Sequence, residues 1–298
     1  MSSVKSIYEE GNRPWYWYFR VFAESIKLYV QDGAFYHGAA LAYYTLFSFV
    51  PIIYLTSSIF GRIVGQANMQ KIIVDLLHHQ IGIKDTAGIL DFAKSIDFEK
   101  PSLLLEIISI GVLIYGCSAF LISLKRSINE FFNISKKKRS SQNLILSFFG
   151  FHFLSLTMLA FFALLIIVFY FVQAFIFSGI EHWITTKNGF VTFSVLLIQY
   201  SISIFCNAII FSFIFKYLHD GKVEWKLAIR GALVTAFLLF FSQLLIRYYL
   251  QHFFALGKFG LIGSLFFMLA WVHYSAQIIF LGAKFTSLLG IEIGKPIR

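Results

Sequence analysis

The stretch Leu103-Leu-Leu-Glu-Ile-Ile-Ser-Ile-Gly-Val-Leu-Ile-Tyr-Gly-Cys-Ser-Ala-Phe-Leu-Ile-Ser-Leu124 carries one charged residue, Glu106. A helix rises about 1.5 Å per residue, so this run matches the roughly 30 Å of a bilayer's hydrocarbon core. Five further stretches read the same way: Ala39–Phe60, Leu144–Phe177, Phe190–Phe215, Ala228–Leu250 and Leu261–Leu289. The expectation is an all-α polytopic membrane protein, a bundle of six transmembrane helices. A β-barrel would show short alternating segments, whereas these runs are continuous. Composition agrees: 58% of the 298 residues are hydrophobic and 13% charged, with 37 Phe, and mean hydropathy is +0.74. An ordinary soluble domain lies far from these values.

Charge sets the expected orientation. Lys and Arg gather before the first span (Lys5, Arg13, Arg20, Lys27), after the second (Lys125, Arg126, Lys136–Arg139), after the fourth (Lys216, Lys222, Lys226, Arg230) and at the C-terminal end (Lys284, Lys295, Arg298). The opposite connections are sparser in base, and the long one balances its lysines with Asp75, Asp85, Asp91, Asp97 and Glu99. Positive-inside sorting therefore places both termini in the cytoplasm. Basic residues beside a membrane point to anionic headgroups at the cytoplasmic face as partners. Nucleic acid is not expected, because no helix-turn-helix or aromatic-basic RNA motif accompanies the charge. The first 30 residues show no short apolar core with a small-residue cleavage site, so the first span is expected to act as an uncleaved insertion signal.

The expected organisation is a cytoplasmic segment 1–35, a membrane domain 36–290 and a cytoplasmic tail 291–298. Within the first, Trp15–Val30 is short, aromatic and broken by charge, the pattern of a helix in the membrane interface. The connection 62–102 carries two apolar stripes at helical spacing (Met69, Ile72, Ile73, Leu76, Leu77; Ile89, Leu90, Ala93, Ile96) and reads as an amphipathic outer cap. Pro51 is expected to kink the first span. Gly257, Gly260 and Gly263 precede the last span, permitting a close backbone approach or a re-entrant turn, against the plainer reading of an outer loop. Gly61–Gly65 has the small-xxx-small spacing that admits a homodimer. Leu144–Phe177 is too long for one perpendicular crossing and must tilt or break near Gly150. Cys117 and Cys206 fall within spans and read as packing residues. His78-His79 has no second ligand pair at suitable spacing, so no metal or cofactor is expected.

His37-Gly-Ala-Ala-Leu-Ala-Tyr-Tyr-Thr-Leu-Phe-Ser-Phe-Val-Pro51 resembles the opening signature of the YihY/BrkB family, whose members once carried the label ribonuclease BN. Ser123–Asn129, Arg230–Thr235, Lys258–Ser264 and Leu281–Lys284 are similar to later segments of that family and occur in the same order. The resemblance spans roughly Tyr29 to Gly290 and implies a bacterial cytoplasmic (inner) membrane protein with six helices. One departure stands out: after Leu-Gly-Ala in the last span the family pattern usually has an acid, and this chain has Lys284, a residue expected to snorkel toward the interface.

Polar residues inside spans point to function, because burying them unpaired is costly. Gln243 and Arg247 share a helical face, as do His273 and Gln277; Asn207 lies with Gln199 and Ser203; Tyr44 lies in the first span; Glu106 is placed to meet Arg247. These residues are the candidate substrate-binding set, with Pro51, Gly260 and Gly263 as candidate hinges. Either the polar faces line a groove, with Arg247 on an anionic group, or each group hydrogen-bonds across helices and holds the bundle together. The first alternative means transport or handling of a lipid or amphiphilic anion; the second means a non-transporting envelope-integrity or scaffold protein. No catalytic residue is expected. Ribonuclease is the least favoured reading, since the acids are scattered and face away from cytoplasmic RNA.

Overall fold

The computed structural model describes residues 14–64, 103–134, 189–253 and 260–297, with helical turns within 157–172. Every regular element among the described residues is a helix. They are α1 (Trp15–Gln31), α2 (Phe35–Val64), α3 (Leu103–Phe131), α4 (Gly189–Tyr217), α5 (Trp225–Phe253) and α6 (Gly260–Glu292). Four contain segments long and apolar enough to cross a membrane: Leu103–Phe131, Leu197–Tyr217, Trp225–Ile246 and Leu265–Glu292. The chain is a multi-pass helical membrane protein. The expected outer cap beyond Val64, Gly150, His78-His79 and the run Lys136–Arg139 lie outside the described residues.

The chain divides into two compact units. Unit 1 takes Met1–Phe35, Leu124–Phe240 and Gln277–Arg298; unit 2 takes Tyr36–Ser123 and Phe241–Ala276.

In unit 1, α5 and α6 approach closely, and small residues permit it. Ala228, Ala232, Thr235 and Ala236 are fully buried along α5. Each helix carries the same five-residue pattern, Gly231-x-x-x-Thr235 and Gly282-x-x-x-Thr286. Thr286 sits where a side chain on Gly231 would project, and Thr235 sits over Gly282 in the same way. Each threonine hydroxyl donates to the carbonyl one turn back, Thr235 to Gly231 (2.8 Å) and Thr286 to Gly282 (2.7 Å). The polar atom is thereby satisfied within its own helix and does not burden the contact.

Around this pair, rings fill the volume. Tyr29 stacks on Phe131 (5.8 Å between centroids) and Phe131 on Phe280 (5.3 Å), joining α1, α3 and α6. The buried stripe Trp17, Val21, Ser25, Tyr29 recurs every four residues and turns one face of α1 inward. Its other faces expose Trp15, Tyr16, Phe19, Ile26 and Val30. α1 stops at Asp32-Gly33, where Asp32 N–H reaches the Leu28 carbonyl (3.0 Å) and Gly33 takes φ 67°. That left-handed backbone suits glycine.

In unit 2, α2 packs on α3 where Ser48 lies against Gly116. The Ser48 hydroxyl donates to the Tyr44 carbonyl (3.0 Å). α2 stays helical through Pro51, which is buried, as are Tyr54 and Leu55 one turn on. Gly260 opens α6, and Gly263 is helical and buried in its first turn.

Candidate functional site

Polar and charged residues from three separate segments meet at one end of unit 1. Lys125 and Asn129 come from α3, Asp220 and Glu224 from the α4–α5 corner, and Lys295 from the tail. Described residues of three of the basic regions, Lys125, Lys216 and Lys295, thus lie near one another. Arg20 and Glu292 add a looser pair at 3.7 Å.

The deepest of these contacts joins α1 to α6. Lys284 is 6% exposed, and its Nζ lies 2.5 Å from Asp32 Oδ2. An ammonium sealed from water without a partner would cost several kcal/mol, on the order of the penalty for any buried ion. Asp32 removes most of that cost, and the negative end of the α1 dipole acts in the same sense. Lys284 therefore does not snorkel: its amine stays inside, paired with the N-terminal helix. Two turns earlier on the same face of α6, Gln277 accepts a hydrogen bond from the Tyr29 hydroxyl and donates from Nε2 to the Phe35 carbonyl (3.4 Å). Burial pushes the Tyr29 phenol well above its usual range, so it remains a donor. Phe280 lies between the two polar residues on that face, closing the ring stack.

The α4–α5 corner is held from α3. Lys125 and Asn129 are one turn apart; Lys125 Nζ reaches Asp220 Oδ1 (2.7 Å) and Asn129 Nδ2 donates to Asp220 Oδ2 (2.8 Å). Asn129 Oδ1 also accepts from the Asp220 N–H (2.9 Å), so one amide grips both backbone and carboxylate. His219 is buried, with Nδ1 accepting from Gly221 N–H (3.0 Å) and Nε2 against the Phe215 carbonyl (2.8 Å). Those two bonds fix the neutral tautomer, protonated on Nε2. Burial depresses its pKa, against the pull of the Phe215 carbonyl and Asp220, while Lys216 and Lys125 depress it further. Glu224 is bound by Lys295 at 3.0 Å.

The candidate polar residues divide between the units. Asn207 and Gln277 belong to unit 1, and both have internal acceptors: Asn207 Nδ2 donates to the Ser203 carbonyl (2.9 Å) and Gln277 takes part in the α1 clasp. Tyr44, Glu106, Gln243, Arg247 and His273 all belong to unit 2. Tyr44, Glu106, Gln243 and His273 are half-buried; Arg247 is helical in α5 and its side chain lies outside the described set. Near Tyr44 in sequence, Ser48 faces the α3 segment holding Gly116. Two residues on, Ser118 has a fully buried hydroxyl with no hydrogen-bond partner among the described residues. Among the described residues, no three His, Cys, Asp or Glu gather closely enough to hold a metal ion.

A family model described as virulence factor BrkB matches residues 25–295, nearly the whole chain. The chain belongs to the BrkB family. The match begins inside α1 and ends after α6, so it contains both the α1–α6 clasp and the α4–α5 corner. Comparison with curated proteins gives no match, and comparison with solved structures gives none either. In this BrkB chain the departure at Lys284 is not an isolated charge, because Asp32 answers it from α1.

Sequence reasoning missed that ion pair, the Asn129 grip on Asp220 and the capped His219. Signals for two of them were present. Lys125 and Asn129 continue α3 beyond its apolar run at a spacing of four, and Asp32-Gly33 marks a helix end.

Proposed function

We propose that this BrkB-family protein resides in the bacterial inner membrane, crosses it six times, keeps both termini in the cytoplasm, and handles a lipid or another amphiphilic anion through the polar positions of unit 2. The observation that carries this reading is the division of polar residues. Residues of α2, α3, α5 and α6 contribute half-buried polar side chains to one unit, whereas Asn207 and Gln277 of unit 1 bond within their own unit. An ionisable side chain within a membrane span, such as Glu106, Arg247 or His273, is a functional position by default.

Connectivity supports a count of six. α3 and α4 both end at the charged end of unit 1, so the chain between them leaves that end and comes back. The apolar turns within 157–172 are suited to the outward crossing and α4 to the return. The basic residues Lys125, Lys216, Lys222, Lys226 and Lys295 at that end support a cytoplasmic position for it. The exposed rings of α1 beside Arg20 and Lys27 suit the membrane interface.

Native mass spectrometry of the detergent-purified protein beside Arg247→Ala tests the reading. One lipid class enriched above bulk membrane and lost in the variant supports it. Bulk lipid alone in both overturns it and favours a non-transporting envelope-integrity scaffold, to which the internally satisfied Gln277 and Asn207 already lend support.

A further inference from the structure

Trp225 is the first residue of α5 and the first of its membrane-crossing segment. It is 41% exposed yet firmly held: Phe213 meets its ring edge-on at 5.7 Å and Tyr217 at 5.8 Å. From the inner side, Lys216 Nζ lies 5.7 Å from the ring centroid and donates to the Val223 carbonyl at 2.5 Å. The cation and the corner backbone thus set the orientation of the indole. Tyr217 is also exposed. An amphipathic ring fixed at the first turn of a span sits where headgroups meet acyl chains.

Two surfaces join there. Below Trp225, Ile229, Leu233 and Phe237 follow every four residues on α5, all exposed, forming one apolar track. Beside it, Lys222 and Lys226 are exposed and Arg230 is half-buried one turn beyond Lys226. The corner's acids are engaged by bases from elsewhere in unit 1, Asp220 by Lys125 of α3 and Glu224 by Lys295 of the tail. Positive charge is therefore left beside a rigid aromatic pair at the head of an apolar track.

We propose that the α4–α5 corner is a binding site for one anionic phospholipid. Lys222 and Lys226 take its phosphate, Trp225 and Tyr217 bracket the glycerol level, and an acyl chain lies along Ile229, Leu233 and Phe237. The site rests on membrane residence alone and is independent of Arg247 and of any transport. A zwitterionic lipid fits the track but gains little from the lysines, and a soluble anion fits the lysines but not the track.

The test places wild type and the double variant Lys222→Gln/Lys226→Gln in nanodiscs of phosphatidylcholine with a minor share of phosphatidylglycerol. Native mass spectrometry then reads the lipid retained on release. Each charge near an anionic headgroup contributes about 1 kcal/mol, so removing two should lower selective retention of phosphatidylglycerol about thirty-fold. Leu233→Ser should lower retention of both lipids. Glycerophosphoglycerol, the headgroup without chains, should fail to displace the bound lipid. Equal retention of the two lipids by wild type, or unchanged selectivity in the double variant, overturns the proposal; displacement by the free headgroup also overturns it and assigns the site to a soluble anion. Both lysines are exposed, so the variant's thermal unfolding in detergent should match wild type, which separates lost binding from lost folding.

Discussion

Replacing Gly231 by Ala puts a methyl group where Thr286 already sits. The new Cβ would lie 2.9 Å from Thr286 Cβ and 3.1 Å from Cγ2, with the hydroxyl oxygen closer still. Carbon atoms pack comfortably at about 3.5–4.0 Å. Thr286 is fully buried, so it cannot swing into open space. Overpacking of this kind costs about 1–3 kcal/mol, while alanine's better helix propensity offsets about 0.5–1 kcal/mol. The expected net loss is about 1–2 kcal/mol. Thr286→Ala alone removes a methyl and a hydroxyl whose bond is internal to α6, a loss of about 1 kcal/mol. In the double variant the new methyl occupies the vacated space, so the losses should fall short of additive by about 1–2 kcal/mol. Gly282→Ala with Thr235→Ala should reproduce the same coupling, because the two contacts are mirror uses of one pattern. Equilibrium unfolding in mixed detergent, followed by tryptophan fluorescence, measures all four states of each cycle. Additivity within about 0.5 kcal/mol would show that α5 and α6 do not meet through these notches.

The Lys284–Asp32 pair should respond asymmetrically: Asp32→Asn strands a buried ammonium, whereas Lys284→Met removes it. Asp32 is 38% exposed, so its loss should fall below the roughly 3–5 kcal/mol of a fully sealed pair. Thermal midpoints in detergent should rank wild type and Lys284→Met above Asp32→Asn; the reverse order refutes the burial argument. His219 should make the α4–α5 corner sensitive to acid. Its folded-state pKa is depressed, so the unfolded chain takes the proton first. The stability it contributes is present above about pH 6.5, the unfolded value, and declines as pH falls through the lower folded value. Midpoints measured from pH 7.5 down to 5 should drop more steeply in wild type than in His219→Gln, and parallel curves contradict the assignment.

The helices were legible because hydropathy and length are local properties. α4, α5 and α6 match the apolar runs to within a few residues at each end, and Pro51 did not end α2. α3 outran its apolar stretch because Lys125 and Asn129 find partners on Asp220, a contact no local pattern announces. Gln277 teaches the sharper lesson. Its spacing of four from His273 places both on one face of α6, yet Gln277 binds Tyr29 in unit 1 while His273 belongs to unit 2. Shared face does not mean shared partner along a helix of this length. Lys284 was misread for a related reason: a lysine near a span's end normally reaches for water, and only the fold reveals Asp32 beside it.

The bond between Tyr29 and Gln277 spans 248 positions of sequence. α1 is synthesised long before Gln277, the α6 residue that holds Tyr29. At about 5–20 residues per second, the interval is about 10–50 s. Within that interval Phe131 of α3 becomes available to stack on Tyr29, but its hydrogen-bond partner on α6 does not. The clasp between α1 and α6 can therefore close only after α6 has been made, so the seating of α1 is a late event in assembly.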